Sequence, residues 1–545
     1  MVTHASATQQ TVYQAFAESC ARYPQHPFLH IPHSACASYA DSAIDVTYQQ
    51  AERAVAQWAH TFAAGGYGAG HRVAIALQNR PQFFYIWFAL NKLGVSVVPL
   101  NLEMQPDEMR YLLSHSESDL LVALPEFVDQ LIEVVAELEK PLPVVSSDPS
   151  SALPTPAGPA LAVTLDGDSE CALLYTSGST GKPKGCILSN EYFVGFGRWY
   201  RDIGGLCTLE PGRERLLTPL PLVHMNAMAV STMGMVLTGG CIIQLDRFHP
   251  KTWWQSVRDS GATVIHYLGV LPAILLNLPE GDDDFSQQVK FGFGAGVNPR
   301  HHATFEARFG FPLIEAWAMS ECGYGGTIIA NHEPRMVGTC CFGKPSAAVE
   351  VKLVDESGSE VATGEAGELL VRAAGDNPQQ GYFSGYLKNP EETAKAWDGG
   401  WLNTGDVVRA DEDGLLYFVD RRKNVIRRSG ENISALEVEA VLTEHPDIHQ
   451  VAVTPVPDDI RGEEVMALVV LQPGVSPNEQ TANALVQHSL GALVYFKVPG
   501  YVAFCTELPL TASQKPRRAD IKALAKQLHE NGQCIDTCAL KKRQK

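Results

Sequence analysis

Positive charge is scarce in this 545-residue chain: 42 Lys and Arg stand against 61 Asp and Glu, a net charge of −19. Such a field repels polyanions, so no nucleic-acid partner is expected and any anion site has to be built locally. The twelve cysteines follow no regular pairing pattern. Cys340 and Cys341 adjoin, and Cys534 and Cys538 are too loosely placed for zinc, which leaves out a disulfide scaffold and fits a reducing cytoplasm. The opening Met1-Val-Thr-His-Ala-Ser6 lacks the basic cap and apolar segment of a secretory signal. A membrane span is missing too. The longest uncharged run, 216–245, is broken by Pro219, Pro221, His224, Asn226 and Gly239-Gly240 into strand, turn, helix and strand.

What is present is core. A hydrophobic fraction of 45% over this length supports two to four domains. Helical patterns at Thr11-Val-Tyr-Gln-Ala-Phe16 and 47–59 come first. Then Val73-Ala-Ile-Ala-Leu77, a helix through Tyr85 to Leu90 and Val95-Ser-Val-Val-Pro-Leu100 read as strand, helix, strand. A helix over 106–115 and a strand at Leu120-Leu-Val-Ala123 repeat the unit. This alternation predicts a parallel sheet clothed by helices. The Ser-, Pro- and Ala-rich segment 146–159 reads as an exposed connector. A methionine-rich helix over 225–237 follows the segment ending at His224. Short alternating runs that include Gly364-Glu-Ala-Gly-Glu-Leu369 and Gly381-Tyr-Phe-Ser-Gly-Tyr386 suggest a small β subdomain. The last hundred residues read as a compact α+β unit with a mobile basic tail at Lys541-Lys-Arg-Gln-Lys545.

The most informative stretch is Leu174-Tyr-Thr-Ser-Gly-Ser-Thr-Gly-Lys-Pro-Lys-Gly185. Two apolar strands, 171–175 and 186–189, bracket it. Its glycines let the backbone turn N–H groups toward an anion, the hydroxyls of Thr176, Ser177, Ser179 and Thr180 add donors, and Lys182 and Lys184 add charge. A Walker A loop is excluded: Gly178 and Gly181 are too close, and Pro183 stands where a magnesium-binding hydroxyl is needed. A plain linker has the same composition, but linkers are not framed by buried strands.

This loop resembles the signature of the adenylate-forming superfamily, which includes acyl-CoA synthetases, adenylation domains and luciferases. Five further segments match in order. Pro221-Leu-Val-His224 resembles the element whose histidine lines and gates the acyl pocket. Leu313-Ile-Glu-Ala-Trp-Ala-Met-Ser-Glu321 resembles the Tyr-Gly-Met-Thr-Glu motif, with Trp317 for tyrosine, Ala318 for glycine and Ser320 for threonine. Thr404-Gly-Asp406 matches the turn whose aspartate takes both ribose hydroxyls. The long basic segment 415–434 and Leu508-Pro-Leu-Thr-Ala-Ser-Gln-Lys515 match the hinge and the catalytic-lysine loop, with Gln514 at the usual glycine. The wording of the basic segment looks like that of carnitine/crotonobetaine CoA ligases.

The resemblance implies an α/β fold. A large N-terminal domain (1–422) of two βα-layered subdomains and a small β subdomain would be followed by a small mobile α+β domain (423–545). It implies ATP bound by Thr176, Ser177, Gly178, Ser179, Thr180, Gly181 and Lys184, by Gly294, Ala295 and Gly296, and by Glu315, Ala316, Trp317, Ser320, Asp406 and Arg421. Glu321 would hold Mg²⁺, Lys515 would be catalytic with Glu321 and His224, and Lys423 would be the hinge. Arg428, Ser429 and Gly430 would lie near coenzyme A. The implied reaction joins a carboxylic acid to AMP with loss of pyrophosphate and then passes the acyl group to the CoA thiol. A carrier-protein-loading enzyme and a non-catalytic ATP-binding protein are the alternatives, and a homodimer stays open. No charged side chain stands out among 224–231, 267–270 and 293–296, the segments assigned to the acid pocket, so a neutral or mainly apolar acyl group is expected.

Overall fold

The computed structural model describes residues 10–148, 152–176, 183–281, 284, 288–421, 424–428, 431–458, 461–510 and 516–541. Two helix-covered sheets and one antiparallel sheet precede a separate C-terminal α+β unit.

The eight-stranded sheet runs in the order Ile328–Ile329, Leu313–Trp317, Phe291–Gly294, Val264–His266, Arg215–Thr218, Cys241–Gln244, Pro27–Ile31, Ile44–Thr47. All neighbours are parallel except the pairs at the two edges. The seven-stranded sheet runs Gly385–Tyr386, Lys184–Ser189, Glu170–Thr176, Ser96–Pro99, Arg72–Ala76, Leu120–Ala123, Val144–Ser146. Its last five strands are parallel. Helix Pro81–Lys92 is buried on nearly every side, as expected of a helix apolar all round. Around its Trp87 and Phe88, one core extends from Ile75 and Val97 of the second sheet to Leu216 and Ile242 of the first. A second core under helices Pro106–Ser116 and Val128–Val135 covers the opposite face of the seven-stranded sheet.

Local rules set the helix starts. Thr11 and Thr47 each form a reciprocal cap with a glutamine three residues on, and Ser189 accepts from Tyr192 N to begin helix Asn190–Asp202. In the C-terminal unit, strand Gly462–Leu471 alternates between two cores: Val465, Ala467 and Val469 face one, and Met466, Leu468 and Val470 the other. That is the period of two expected of a sheet covered on both faces.

Two expectations need correction, for 381–386 and Lys541, and two gain detail. Gly381 to Tyr386 is not part of the antiparallel sheet: Gly385–Tyr386 pairs with Lys184–Ser189 at the edge of the seven-stranded one. The connector is strapped down in part, because Tyr67 donates to Pro154 O (2.9 Å), His71 bonds Gly158 O (3.0 Å) and Leu161 N donates to Ala69 O. The methionine-rich helix starts as a π-helical segment, Asn226–Thr232, before Met233–Thr238 becomes regular. The Lys541 side chain is buried and lies 2.5 Å from Glu464, which is not the environment of a free tail; residues 542–545 lie outside the described set. Among the described residues no helix is long and apolar enough to cross a membrane.

Candidate active site

The parallel strands of the larger sheet end at Thr218, His266, Gly294 and Trp317. Ligands of open α/β sheets sit beyond such carboxyl ends, and of the expected residues Thr176, Lys184, Trp317, Glu321 and Asp406 lie near them.

Strand Glu170–Thr176 leads into the phosphate loop and Lys184–Ser189 returns from it, with Thr176 opposite Lys184. Ser177, Gly178, Ser179, Thr180, Gly181 and Lys182 lie outside the described residues. At the loop's base, Glu321 is 7% exposed, and its Oε1 accepts from Tyr386 Oη (2.8 Å) and Thr176 Oγ1 (3.3 Å). The Lys184 ammonium lies 4.8 Å from the Tyr386 ring centre and pairs with Glu392 at 2.5 Å. Lys184 holds the Glu392 carboxyl down at about 2. Tyr386 and Glu392 were not singled out by residue type. Their signal was position: three residues before Asn389, which caps helix Pro390–Ala396, and at that helix's third residue.

A second group is built on Asp406. Gly405 takes φ 69°, a turn within strand Trp401–Ala410 that glycine makes cheaply. Asp406 is 2% exposed, and its Oδ2 accepts from Trp317 Nε1 at 2.8 Å. Arg421 sits opposite it on the neighbouring strand with Nε 2.7 Å from Oδ1, yet out of line, so Oδ1 has no hydrogen bond among the described residues. Burial raises the carboxyl's pKa and Arg421 opposes the rise.

Glu315 braces the neighbouring loop. Its Oε2 accepts from Gly296 N (2.9 Å), and its Oε1 accepts from Val297 N (3.1 Å) and Tyr267 Oη (2.9 Å). It clamps the Gly294-Ala295-Gly296 loop and leaves little acceptor capacity for a ligand. Close packing shapes the same loop: a Cβ on Gly294 would meet Tyr267 O at 2.3 Å, and one on Gly269 would meet Gly296 O at 1.7 Å. Ala316 is buried opposite Ile329. Ser320 is half-buried and His224 exposed.

Arg428 is 8% exposed, and its guanidinium is taken by Glu464 at 2.7 Å. Lys423, Ser429, Gly430 and Lys515 lie outside the described residues. The flanks of 511–515 are informative. Leu510 and Pro516 form an antiparallel bridge, and Arg517 lies 4.0 Å from Glu108 on helix Pro106–Ser116. On that helix Tyr111 donates to Pro183 O (3.2 Å). The C-terminal unit therefore meets the main body one helix away from the phosphate loop.

Residues 16–387 match the family model for AMP-binding enzymes, and residues 437–515 match that of the AMP-binding enzyme C-terminal domain. The chain belongs to the AMP-binding enzyme family. It is an AMP-forming acid–thiol ligase, an enzyme that activates a carboxylic acid and transfers it to CoA. It is 30% identical to a sulfoacetate–CoA ligase of Cupriavidus necator over 93% of this chain and 96% of that protein. It is also 30% identical to a crotonobetaine/carnitine–CoA ligase of Citrobacter koseri, over 87% and 93%. The fold matches the Bacillus subtilis o-succinylbenzoate CoA synthetase with its acyl-adenylate, at TM-score 0.76 and 25% identity over 94% of this chain and 98% of that one.

The residues present fit the nucleotide. Asp406 offers a buried carboxylate oxygen without an in-line hydrogen bond among the described residues, which suits a ribose hydroxyl. The Glu321 carboxylate beside the Thr176 hydroxyl suits a hard cation that takes most of its other ligands from phosphate and water.

Proposed function

We propose that this ligase grips ATP between Lys184, Glu321 and the Trp317–Asp406 pair. What supports this is Asp406 Oδ1, a buried oxygen ion-paired to Arg421 but with no in-line hydrogen bond among the described residues, held next to Trp317 at the carboxyl end of its strand, while Tyr386 joins Glu321 to Lys184. Trp317 and the Gly294-Ala295-Gly296 loop flank the adenine. Asp406 takes the ribose, with Arg421 balancing its charge. Thr176, Ser177, Gly178, Ser179, Thr180, Gly181, Lys184 and Ser320 hold the phosphates. Mg²⁺ on Glu321 would supply charge neutralisation for them.

A carboxylate and a triphosphate repel, so the chemistry rests on alignment and charge cancellation. The acid is already ionised and needs no general base. Lys515 bridges it to the α phosphate, where negative charge concentrates. His224 borders the acid pocket. Because an acyl-adenylate is water-sensitive, the C-terminal unit closes during adenylation and turns at Lys423 to admit CoA along 428–430.

Pyrophosphate exchange across a panel of carboxylic acids, followed by CoA addition to the positives, tests this. Acid-dependent exchange and thiol-dependent AMP release are expected. Nucleotide binding without exchange would contradict it, as would transfer only to a phosphopantetheinyl protein.

A further inference from the structure

Beneath the loops assigned to the acid pocket lies a polar chain among aromatic rings. Tyr200, Ser231 and His266 have no exposed surface. The His266 ring is 5.0 Å from Phe293 and 5.6 Å from Tyr200, and Phe293 is 6.3 Å from the half-exposed Trp199. Tyr200 Oη is 2.9 Å from His266 Nε2, while Nδ1 is 2.8 Å from Ser231 Oγ and 2.9 Å from Asn226 Oδ1.

The hydrogens can be assigned from this network. Burial lowers the His266 pKa to about 3, so the ring is neutral. Among the described residues the Tyr200 hydroxyl has one acceptor in reach, Nε2, and donates to it. Nδ1 then carries the hydrogen and donates toward Asn226 Oδ1 and Ser231 Oγ. Ser231 Oγ donates to the same Oδ1 (3.4 Å). Both donors fix the oxygen end of the Asn226 amide inward, so Nδ2 is the end that faces away from the chain of bonds. Asn226 is half-exposed, two residues after His224, and Nδ2 has no hydrogen bond to a described residue. His266 leads directly into Tyr267 and the Gly269–Gly296 contact, so this amide stands at the mouth of the same strands that end the nucleotide site.

Resting on the ligase reading above, we propose that Asn226 is a specificity-determining residue whose Nδ2 donates to an oxygen acceptor the acid carries besides its reacting carboxylate. His266, Ser231 and Tyr200 are positioning residues that hold the amide in that sense. The substrate class is a short oxygen-bearing acid, with a hydroxyl, carbonyl or anionic second group, and not a plain alkyl acid. This departs from the expectation of a neutral or mainly apolar acyl group.

The test is kcat/KM in pyrophosphate exchange for length-matched acid pairs: alkyl against hydroxy or keto in one arm, alkyl against sulfonate or second carboxylate in the other. The wild type should prefer the oxygen-bearing member at least tenfold in one arm, which also identifies whether the acceptor is neutral or anionic. Asn226→Asp, nearly isosteric, replaces the donor with an acceptor and should erase that ratio. His266→Asn should lower the ratio with the KM for ATP unmoved, whereas mere damage to the core would lower both members alike. Equal or better use of the alkyl acids by the wild type overturns the proposal, even where the variants do not fold. Absence of exchange with every acid would instead overturn the ligase reading beneath it.

Discussion

Lys184 and Glu392, 208 residues apart in sequence, form a 2.5 Å ion pair at the base of the phosphate loop. The carboxylate keeps the ammonium beside the Tyr386 ring and also competes with phosphate for it. Glu392→Gln removes the competing charge and keeps the acceptor. The KM for ATP is predicted to fall about fivefold, corresponding to about 1 kcal/mol for a part-exposed pair. Initial rates against ATP concentration check this, and Glu392→Ala, which also frees the ammonium from its anchor, should lower kcat.

Trp317→Phe keeps the aromatic face and loses the N–H that donates to Asp406 Oδ2. A buried carboxylate deprived of one donor costs about 1.5–3 kcal/mol. The KM for ATP should rise about tenfold or more, with less change in the KM for the acid, and isothermal titration with AMP should show the same loss.

Glu464 has no exposed side-chain surface and is shared by Arg428 and Lys541, which are 9% and 2% exposed. Glu464→Ala strands two buried cations. A loss of about 3–5 kcal/mol is expected, read as a lower Tm of the C-terminal unit. Arg428 holds the unit together before it can serve any ligand.

His266 is held neutral by burial, its pKa lowered to about 3. Below about 6.5 the unfolded chain takes up a proton there that the folded chain refuses. Its contribution is thus complete above pH 6.5 and is lost as the pH falls toward 3, at about 1.4 kcal/mol per unit. Urea midpoints between pH 7 and 5 should fall less steeply in His266→Gln than in the wild type.

The sequence announced whatever local rules govern. The strand–loop–strand at 170–189 shows in its apolar brackets, Ser189 in its capping chemistry, and the βα repeats in their periodicity. Asp406 and Glu321 were legible by resemblance of their motifs. Tyr386 was misplaced because its strand, Gly385–Tyr386, has only two residues, too short for any period, and joins its sheet across nearly two hundred residues. Glu315 was read as a nucleotide-binding group by resemblance of its motif; the bonds it makes within the protein, to Gly296, Val297 and Tyr267, come from the register of neighbouring strands. The Asn226–His266 chain left no mark in the pattern, since it joins two segments only through the sheet's register.

The central claim is that the C-terminal unit delivers Lys515 to a nucleotide held in the main body, consistent with the approach of Arg517 to Glu108 beside the phosphate loop. The most direct measurement compares the two half-reactions of Lys515→Ala: pyrophosphate exchange, and AMP-dependent cleavage of an acyl-CoA followed to the acyl-adenylate. Exchange should collapse by about 10³-fold, the scale of removing one transition-state charge contact, while thioester cleavage falls far less. Equal loss in both directions would contradict the account.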